Sequence, residues 1–205
     1  MIIAVDGPTA SGKGTIAKAL AEHFGLPHLD TGLLYRAVGY QCRLDGSDPD
    51  DEAAALAACR FPDSLLADPE LRSEATGGLA SRVSVHPAVR AALFERQRAF
   101  ATQAGGAVLD GRDIGTVIAP EAEVKLFVTA SVPARARRRF LEMQAQGRAV
   151  TLAEIEADLE ERDRRDRERA EAPLRTAVDA VVVDTSELDR EGAIAAALRV
   201  VEESL

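Results

Sequence analysis

The chain has 205 residues and a net charge of −9, from 34 acidic and 25 basic side chains. A chain of this length buries roughly 70% of its unfolded surface, so one domain can fold without disulfides or a structural metal. The acidic balance argues against a general nucleic-acid or membrane-surface binder, and the apolar runs are far shorter than the roughly 18 residues of a membrane span. The opening MIIAVDG lacks a signal-peptide pattern, and Cys42 and Cys59 stand alone, so we expect a cytoplasmic protein with free thiols.

Short apolar runs alternate with segments of helical periodicity. In chain order we predict strand 2–5, helix 13–24, strand 28–29 ending at 30–32, a helix that follows through 40 or beyond, helix 51–59, helix 87–104, strand 107–109, strand 124–128, an arginine-rich helix from about 133, helix 151–167, strand 181–183 and helix 190–204. The rest of the acidic stretch 45–74 predicts no defined element. The alternation predicts an α/β fold with a parallel sheet covered by helices on both faces. Ligands bind at the carboxyl ends of such strands, so the loops after Val5, Leu29, Leu109 and Val128 are candidate sites.

The first of these loops has the spacing of a phosphate-binding loop. Its residues are Gly7, Pro8, Thr9, Ala10, Ser11, Gly12, Lys13, Gly14 and Thr15. Glycines let backbone N–H groups turn toward a phosphate, the following helix adds its dipole, and Lys13 supplies a point charge. Gly14 stands where Ser or Thr is usual, and this GKGT form is typical of nucleoside-monophosphate kinases. A turn that binds nothing is disfavoured, because strand, loop and helix follow in the required order.

The chain contains no Asn, which excludes the Asn-Lys-x-Asp motif of regulatory GTPases. Small kinases of nucleotides or metabolites remain. Further motifs distinguish among these small kinases. The motifs are DTGLLYR (Asp30–Arg36), SRVSVHPAVRAALFERQ (Ser81–Gln97), DGRDIGT (Asp110–Thr116), RDRRDRERAEAPL (Arg162–Leu174) and DAVVVDT (Asp179–Thr185). Together with the phosphate loop they resemble the bacterial cytidylate kinase family, over nearly the whole chain.

The resemblance implies a P-loop kinase domain over residues 1–205 that phosphorylates CMP and dCMP with ATP and Mg²⁺. The core would be residues 1–36, 105–134 and 175–205, with a nucleoside-monophosphate-binding subdomain at about 37–104 and an arginine-rich lid at about 135–174. The family often carries a longer insert before Ser81, so the subdomain is expected to be trimmed here. The partners would be small nucleotides, with no nucleic-acid polymer and no membrane, and the protein is expected to be a monomer.

The same resemblance assigns site residues position by position. CMP would be bound by Thr31 (usually Ser in the family), Tyr35, Arg36, Ser81, Arg90, Arg112, Asp113, Arg162, Asp166 and Arg169. Ser81, Arg90 and Asp113 would bind the cytosine, whose N4 amine donates to a carboxylate. Catalysis would depend on Lys13, Arg112, Arg138, Arg162 and Arg169. Mg²⁺ would have no direct protein ligand set, being held through ATP with Thr15 and Asp110 nearby.

The expected reaction needs no general base, because the acceptor phosphate is already anionic. His23, His28 and His86 are therefore expected to have surface or packing roles. In the run Arg137–Arg139 neighbouring side chains point apart on a helix, and Arg138 is expected to be the one that contacts phosphate. An adenylate or shikimate kinase is a nearby alternative, which the combination of Ser81, Arg90 and Asp113 disfavours. A non-catalytic nucleotide-binding module is the alternative from another class.

Overall fold

The computed structural model describes residues 1–205, and its centre is a parallel sheet of five strands. The strands are β1 (Ile2–Asp6), β2 (His28–Asp30), β3 (Ala107–Gly111), β4 (Val124–Thr129) and β5 (Val181–Asp184). Their order across the sheet is β2-β3-β1-β4-β5, with every neighbouring pair parallel. This confirms the predicted fold class and all the predicted strands.

Eight α-helices surround or extend the sheet. They are α1 (Lys13–Phe24), α2 (Thr31–Leu44), α3 (Glu52–Ala58), α4 (Glu74–Val83), α5 (Pro87–Ala101), α6 (Val132–Ala145), α7 (Leu152–Glu168) and α8 (Arg190–Ser204). Shorter helical turns cover Asp63–Ala67, Pro69–Arg72 and Ile114–Ile118. No helix is both long and apolar enough to cross a membrane.

The strand register brings the first three loops to one edge of the sheet. Asp6 at the end of β1 lies opposite Gly111 of β3, and Asp30 at the end of β2 lies opposite Asp110. The carboxyl ends of these strands are therefore level. The phosphate loop and the loops after β2 and β3 meet at this edge, as expected for a parallel α/β sheet.

The apolar side chains form separate clusters. One lies between the sheet and helices α1 and α8 and includes Ile3, Ile16, Leu20 and Val201, all at most 1% exposed. A second joins α2, α3 and α5 with the turns between them, and is independent of the sheet. Because this second cluster gives the segment its own core, α2 to α5 can present side chains to the sheet edge as a unit.

Helix α4 is the α-helix that the sequence did not predict, and the three short helical turns were not predicted either. Gly77 and Gly78 lower its intrinsic helix propensity, but Ser73 caps it by accepting a hydrogen bond from the N–H of Thr76. Packing supplies the rest, because a Cβ at Gly39 of α2 would lie 2.7 Å from the Cβ of Leu79. The missing side chain at Gly39 therefore allows α2 and α4 to pack closely.

A buried ion pair fixes the base of α6 to α7. The Arg135 guanidinium binds both carboxylate oxygens of Asp163, at 3.1 and 2.6 Å. Arg135 also donates to the backbone carbonyls of Thr9 and Ala130. The helix pair is thus tied to the tip of the phosphate loop.

Candidate active site

The sheet edge opens into a polar cleft of about 230 Å³. The residues that the resemblance assigns to CMP all line it, and they are Thr31, Tyr35, Arg36, Ser81, Arg90, Arg112, Asp113, Arg162, Asp166 and Arg169. From the phosphate loop, Thr9, Ala10, Lys13 and Gly14 line the same cleft. Ser11, Gly12 and Thr15 line a neighbouring cavity of about 350 Å³, and Gly7 and Pro8 border neither.

Two glycines shape the phosphate loop. A Cβ at Gly7 would lie 2.0 Å from the carbonyl oxygen of Val128, so only glycine fits beside β4. Gly12 has φ of 90°, a left-handed conformation that glycine adopts without strain. The chain then enters α1 directly, which leaves the first N–H groups of the helix without intrahelical partners.

Lys13 lies at the bottom of the cleft, with its Nζ 3.5 Å from the carbonyl oxygen of Pro8. Burial and, second, the charge of Arg112 together lower the pKa of Lys13 to about 8, against the opposing effect of Asp110 and Asp30. The ammonium form therefore predominates at neutral pH, but it is lost at a lower pH than in an ordinary lysine.

This lowered pKa predicts an alkaline limit on ATP capture. The pH dependence of kcat/KM reports the ionisation of groups in the free enzyme. We therefore expect kcat/KM for ATP to fall above pH about 8, approaching tenfold per pH unit as Lys13 loses its proton. The nucleotide phosphates are already ionised there. Lys13→Arg is the control, since a guanidinium keeps its charge and should abolish the decline even if activity is lower. A wild-type profile that stays flat to pH 10 would contradict the prediction.

A buried ion pair occupies the part of the cleft assigned to the cytosine. Arg90 Nη2 lies 2.5 Å from Asp113 Oδ2, and both side chains are at most 9% exposed. The Arg90 guanidinium stacks over the ring of Tyr35 at 5.5 Å from its centroid. The hydroxyl of Ser81, nearby, accepts a hydrogen bond of 2.9 Å from Arg165. This leaves polar groups of fixed direction at a buried surface.

Arginines dominate the rest of the cleft wall. Arg36, Arg112, Arg139, Arg162 and Arg169 line it. Burial lowers the pKa of Arg36, Arg139 and Arg162, and the charges of neighbouring arginines lower it further. Arg169 carries a buried Nη2 without a hydrogen-bond partner. Such a set of crowded cations is suited to a polyanionic ligand.

Carboxylates hold several of these arginines in place. Asp166 accepts from Arg112 Nε at 2.7 Å. Although burial alone would raise the pKa of Asp166, the Arg112 guanidinium lowers it below its usual value. Glu74, at the start of α4, binds Arg162 at 2.5 Å and also pairs with Arg139. Glu74 therefore joins α4 to both α6 and α7.

Within the run Arg137–Arg139, the structure places Arg138 outside the cleft. Arg138 donates to the hydroxyl and carbonyl of Thr185 and to the carbonyl of Leu188, and it lines the neighbouring cavity instead of the cleft. Arg139 is the residue of this run that lines the cleft. The direction of each side chain follows from the helix phase, since successive residues differ by about 100° around the axis.

Two carboxylates line the cleft together with Lys13. Asp30 and Asp110 lie opposite each other at the carboxyl ends of the neighbouring strands β2 and β3. Burial raises the pKa of Asp30, and the adjacent charge of Asp110 raises it further. His28 also takes part, with Nε2 2.8 Å from Asp110 Oδ1. The sequence did not predict Asp30 or Arg139 as cleft residues. Nor did it predict that Glu74 and Arg165 bond to the cleft residues Arg162 and Ser81. Of these residues, only Asp30 has a signal in the sequence, because it stands at the end of a predicted strand.

Comparison with known proteins finds relatives over nearly the whole chain. Residues 3–203 match the family model described as cytidylate kinase. The chain is 56% identical over 203 residues to a cytidylate kinase of Rhodopseudomonas palustris (strain TIE-1), covering 98% of this chain and 96% of that one. It is 57% identical to a cytidylate kinase of Azorhizobium caulinodans, covering 98% of each chain.

Among solved structures, an uncharacterized protein from Eubacterium ventriosum superposes with a TM-score of 0.60 at 16% identity, covering 99% of this chain and 98% of that one. A sugar kinase from Janibacter sp. gives 0.50 at 16% identity, covering 98% and 93%. At these identities the likeness concerns the fold alone. The family model and the close relatives go further, and they show that the chain belongs to the cytidylate kinase family.

Proposed function

We propose that this cleft transfers the γ-phosphoryl group of ATP to the phosphate of CMP or dCMP, forming CDP or dCDP. The observation that carries the proposal is the meeting of the buried Arg90–Asp113 pair with the phosphate-loop lysine and the arginine wall in one cleft. A base-reading group and a phosphate-transfer site within one cavity fit a nucleoside-monophosphate kinase. Family membership supports the same reaction.

The cytosine would lie against Ser81, Arg90 and Asp113. The Asp113 carboxylate accepts a hydrogen bond from an N4 amine, and Arg90 donates to the ring acceptors. Uracil presents a carbonyl in place of the amine and would face Asp113 with repulsion. Because the site is buried, a mismatched base leaves polar groups unpaired, which gives strong discrimination.

The ribose and phosphate of CMP would extend from the base toward Lys13. Asp166 would accept from a ribose hydroxyl, and Thr31 would help to orient the nucleotide. Arg36, Arg112, Arg162 and Arg169 would bind the phosphate, and so would Arg139, which lines the same cleft. A fork of N–H donors matches phosphate geometry better than a lysine does.

ATP would enter from the opposite side of the phosphate loop. Backbone N–H groups of residues 7–15 would bind its phosphates. The neighbouring cavity, lined by Gly12, Thr15, Arg138 and Leu188, would receive its nucleoside. Arg138 would therefore lie beside the nucleoside of ATP, and not beside the phosphate that is transferred.

The residues near Lys13 also fit Mg²⁺ bound through the nucleotide. No group of three acidic, histidine or cysteine side chains could hold the ion alone. Asp30 and Asp110 nevertheless place oxygen ligands beside the phosphate loop, and Mg²⁺ commonly combines one or two carboxylates with substrate phosphates and water. Asp110, Asp30 and Thr15 would hold it, and the ion would neutralise charge on the phosphates of ATP.

The chain's own residues would act by alignment and charge stabilisation. The attacking phosphate oxygen needs no proton removed, so no base is required. Lys13 and the arginines would surround the phosphoryl group and stabilise the charge on its equatorial oxygens. Helices α6 and α7 would form the lid that excludes water, and α2 to α5 the subdomain that binds CMP.

We also propose that the protein acts as a monomer in the cytoplasm.

A coupled assay of ADP release tests the proposal. Purified enzyme with ATP and Mg²⁺ is given CMP, dCMP, UMP, AMP or shikimate. CMP and dCMP should give kcat/KM at least about 10²-fold above the others, as expected where a buried hydrogen-bonded base is mismatched. A preference for AMP or shikimate would overturn the assignment. Tight ATP binding without CDP formation would indicate a binding module instead.

A further inference from the structure

Asp6 is a buried carboxylate that does not line the cleft but contacts the segment that carries its base-reading group. It is the last residue of β1, next to Gly7, and it is 4% exposed. One oxygen accepts from the N–H of Ile114 and the other from the N–H of Gly115, both at 2.8 Å. These residues directly follow Arg112 and Asp113.

The two N–H groups belong to the short helical turn Ile114–Ile118, and they have no partner within that turn. The turn closes on Asp113, whose carbonyl accepts from Val117 at 2.9 Å and from Ile118 at 3.1 Å. Asp113 therefore joins the loop after β3 to this turn. Asp6 hydrogen-bonds the turn to β1 at the two residues that directly follow Asp113.

Only a carboxylate completes this contact. An asparagine has one acceptor oxygen, and its NH₂ group would face a second N–H donor. Burial raises the pKa of Asp6 to about 7, although the two backbone hydrogen bonds favour the ionised form. A buried carboxyl group with a shifted pKa beside a binding group is typical of functional sites.

We propose that Asp6 is a positioning residue for nucleobase recognition: by holding the N–H groups of Ile114 and Gly115, it sets the direction in which the Asp113 side chain meets Arg90 and the base. This inference rests on the proposed function. Asp6 lines neither cavity, so it would touch neither nucleotide. Its effect should therefore appear in the choice of acceptor and in the KM for CMP, with less effect on ATP.

Asp6→Asn tests this. We expect KM for CMP to rise about tenfold and the ratio of kcat/KM for CMP over UMP to fall about tenfold or more, with KM for ATP changed less than about threefold. These sizes correspond to about one misplaced hydrogen bond. Circular dichroism and thermal unfolding establish how much of the variant is folded.

Asp51→Asn is the matched control, since Asp51 also accepts from two backbone N–H groups, those of Ala53 and Ala54, but lies at an exposed helix start away from the cleft. The ratio of kcat/KM for CMP over UMP should stay at the wild-type value in this variant. Gly115→Ala approaches the same contact from the other side, because a Cβ there would lie 3.1 Å from Lys125 Cδ and in van der Waals contact with Asp6 Oδ2 at 3.4 Å. The lysine side chain can shift, so this variant should lower the ratio of kcat/KM for CMP over UMP in the same direction as Asp6→Asn but by less, also where Asp6→Asn fails to fold.

The outcomes separate the two levels of inference. If wild-type enzyme does not prefer CMP, the proposed function fails. If wild type prefers CMP, and both Asp6→Asn and Gly115→Ala lower only kcat while KM for CMP and selectivity stay unchanged, Asp6 has a purely structural role and the inference is overturned. A larger loss of ATP affinity than of CMP affinity would also overturn it, since Asp6 would then act on the phosphate loop.

Discussion

Replacement of Lys13 by methionine is expected to lower kcat about 10²- to 10³-fold, with the protein still folded. Lys13 lines the cleft, with its Nζ 3.5 Å from the carbonyl oxygen of Pro8 in the phosphate loop, and the proposed reaction develops negative charge there. Loss of one preorganised charge-stabilising group costs this much in comparable sites. Methionine keeps a similar volume and removes only the charge. The measurement is ADP release at saturating CMP and ATP.

Lys18→Met is the matched control for this change. Lys18 lies further along α1, is 71% exposed and forms only a surface pair with Glu22 at 4.0 Å. Surface pairs of this kind contribute about 0–1 kcal/mol to stability, so its kcat should match wild type. A Lys13→Met enzyme within threefold of wild type would show that Lys13 does not stabilise the transferred group.

Asp113→Asn is expected to reduce the ratio of kcat/KM for CMP over UMP by about 10²-fold. An amide can turn either its oxygen toward the N4 amine of cytosine or its NH₂ toward the carbonyl of uracil, so the discrimination by charge and donor pattern disappears. KM for ATP should change less than about threefold. The measurement is steady-state kinetics with both acceptors at fixed ATP.

The same substitution removes the carboxylate partner of buried Arg90, so a loss of stability of about 3 kcal/mol is expected as well. Asp163→Asn separates the two effects. It breaks the pair with Arg135, whose side chains are 2% and 4% exposed, between α6 and α7. This control should lose stability while it keeps the preference for CMP. If both variants lose selectivity alike, Asp113 has no specific part in base recognition.

The strands and the phosphate loop could be predicted because their signals are local. A short apolar run such as Ile2–Val5 followed by Asp-Gly-Pro specifies a buried strand and its end with little help from the rest of the chain. The residues assigned to CMP came from motif resemblance, and the structure places them around one cleft. Their individual roles stay predictions.

What could not be predicted depends on contacts distant in sequence. The choice between Arg138 and Arg139 depends on the phase of α6, which a run of adjacent arginines does not reveal. Helix α4 has a glycine pair that argues against a helix, and it forms because Gly39 lets it approach α2. Asp6 precedes the phosphate loop by sequence, but its partners lie 108 and 109 residues away. No local pattern contains that information.

The bridge formed by Glu74 changes what ligand binding means energetically. Without nucleotide, Arg139 and Arg162 are not bare cations, because Glu74 already occupies them as an internal anion. An arriving phosphate therefore exchanges one anionic partner for another, and its affinity reflects the difference between two sets of charge-assisted hydrogen bonds. After phosphoryl transfer, the Glu74 carboxylate can pair with the two arginines again as the product leaves. A resident anion of this kind limits how tightly product can be held, and so favours turnover over retention.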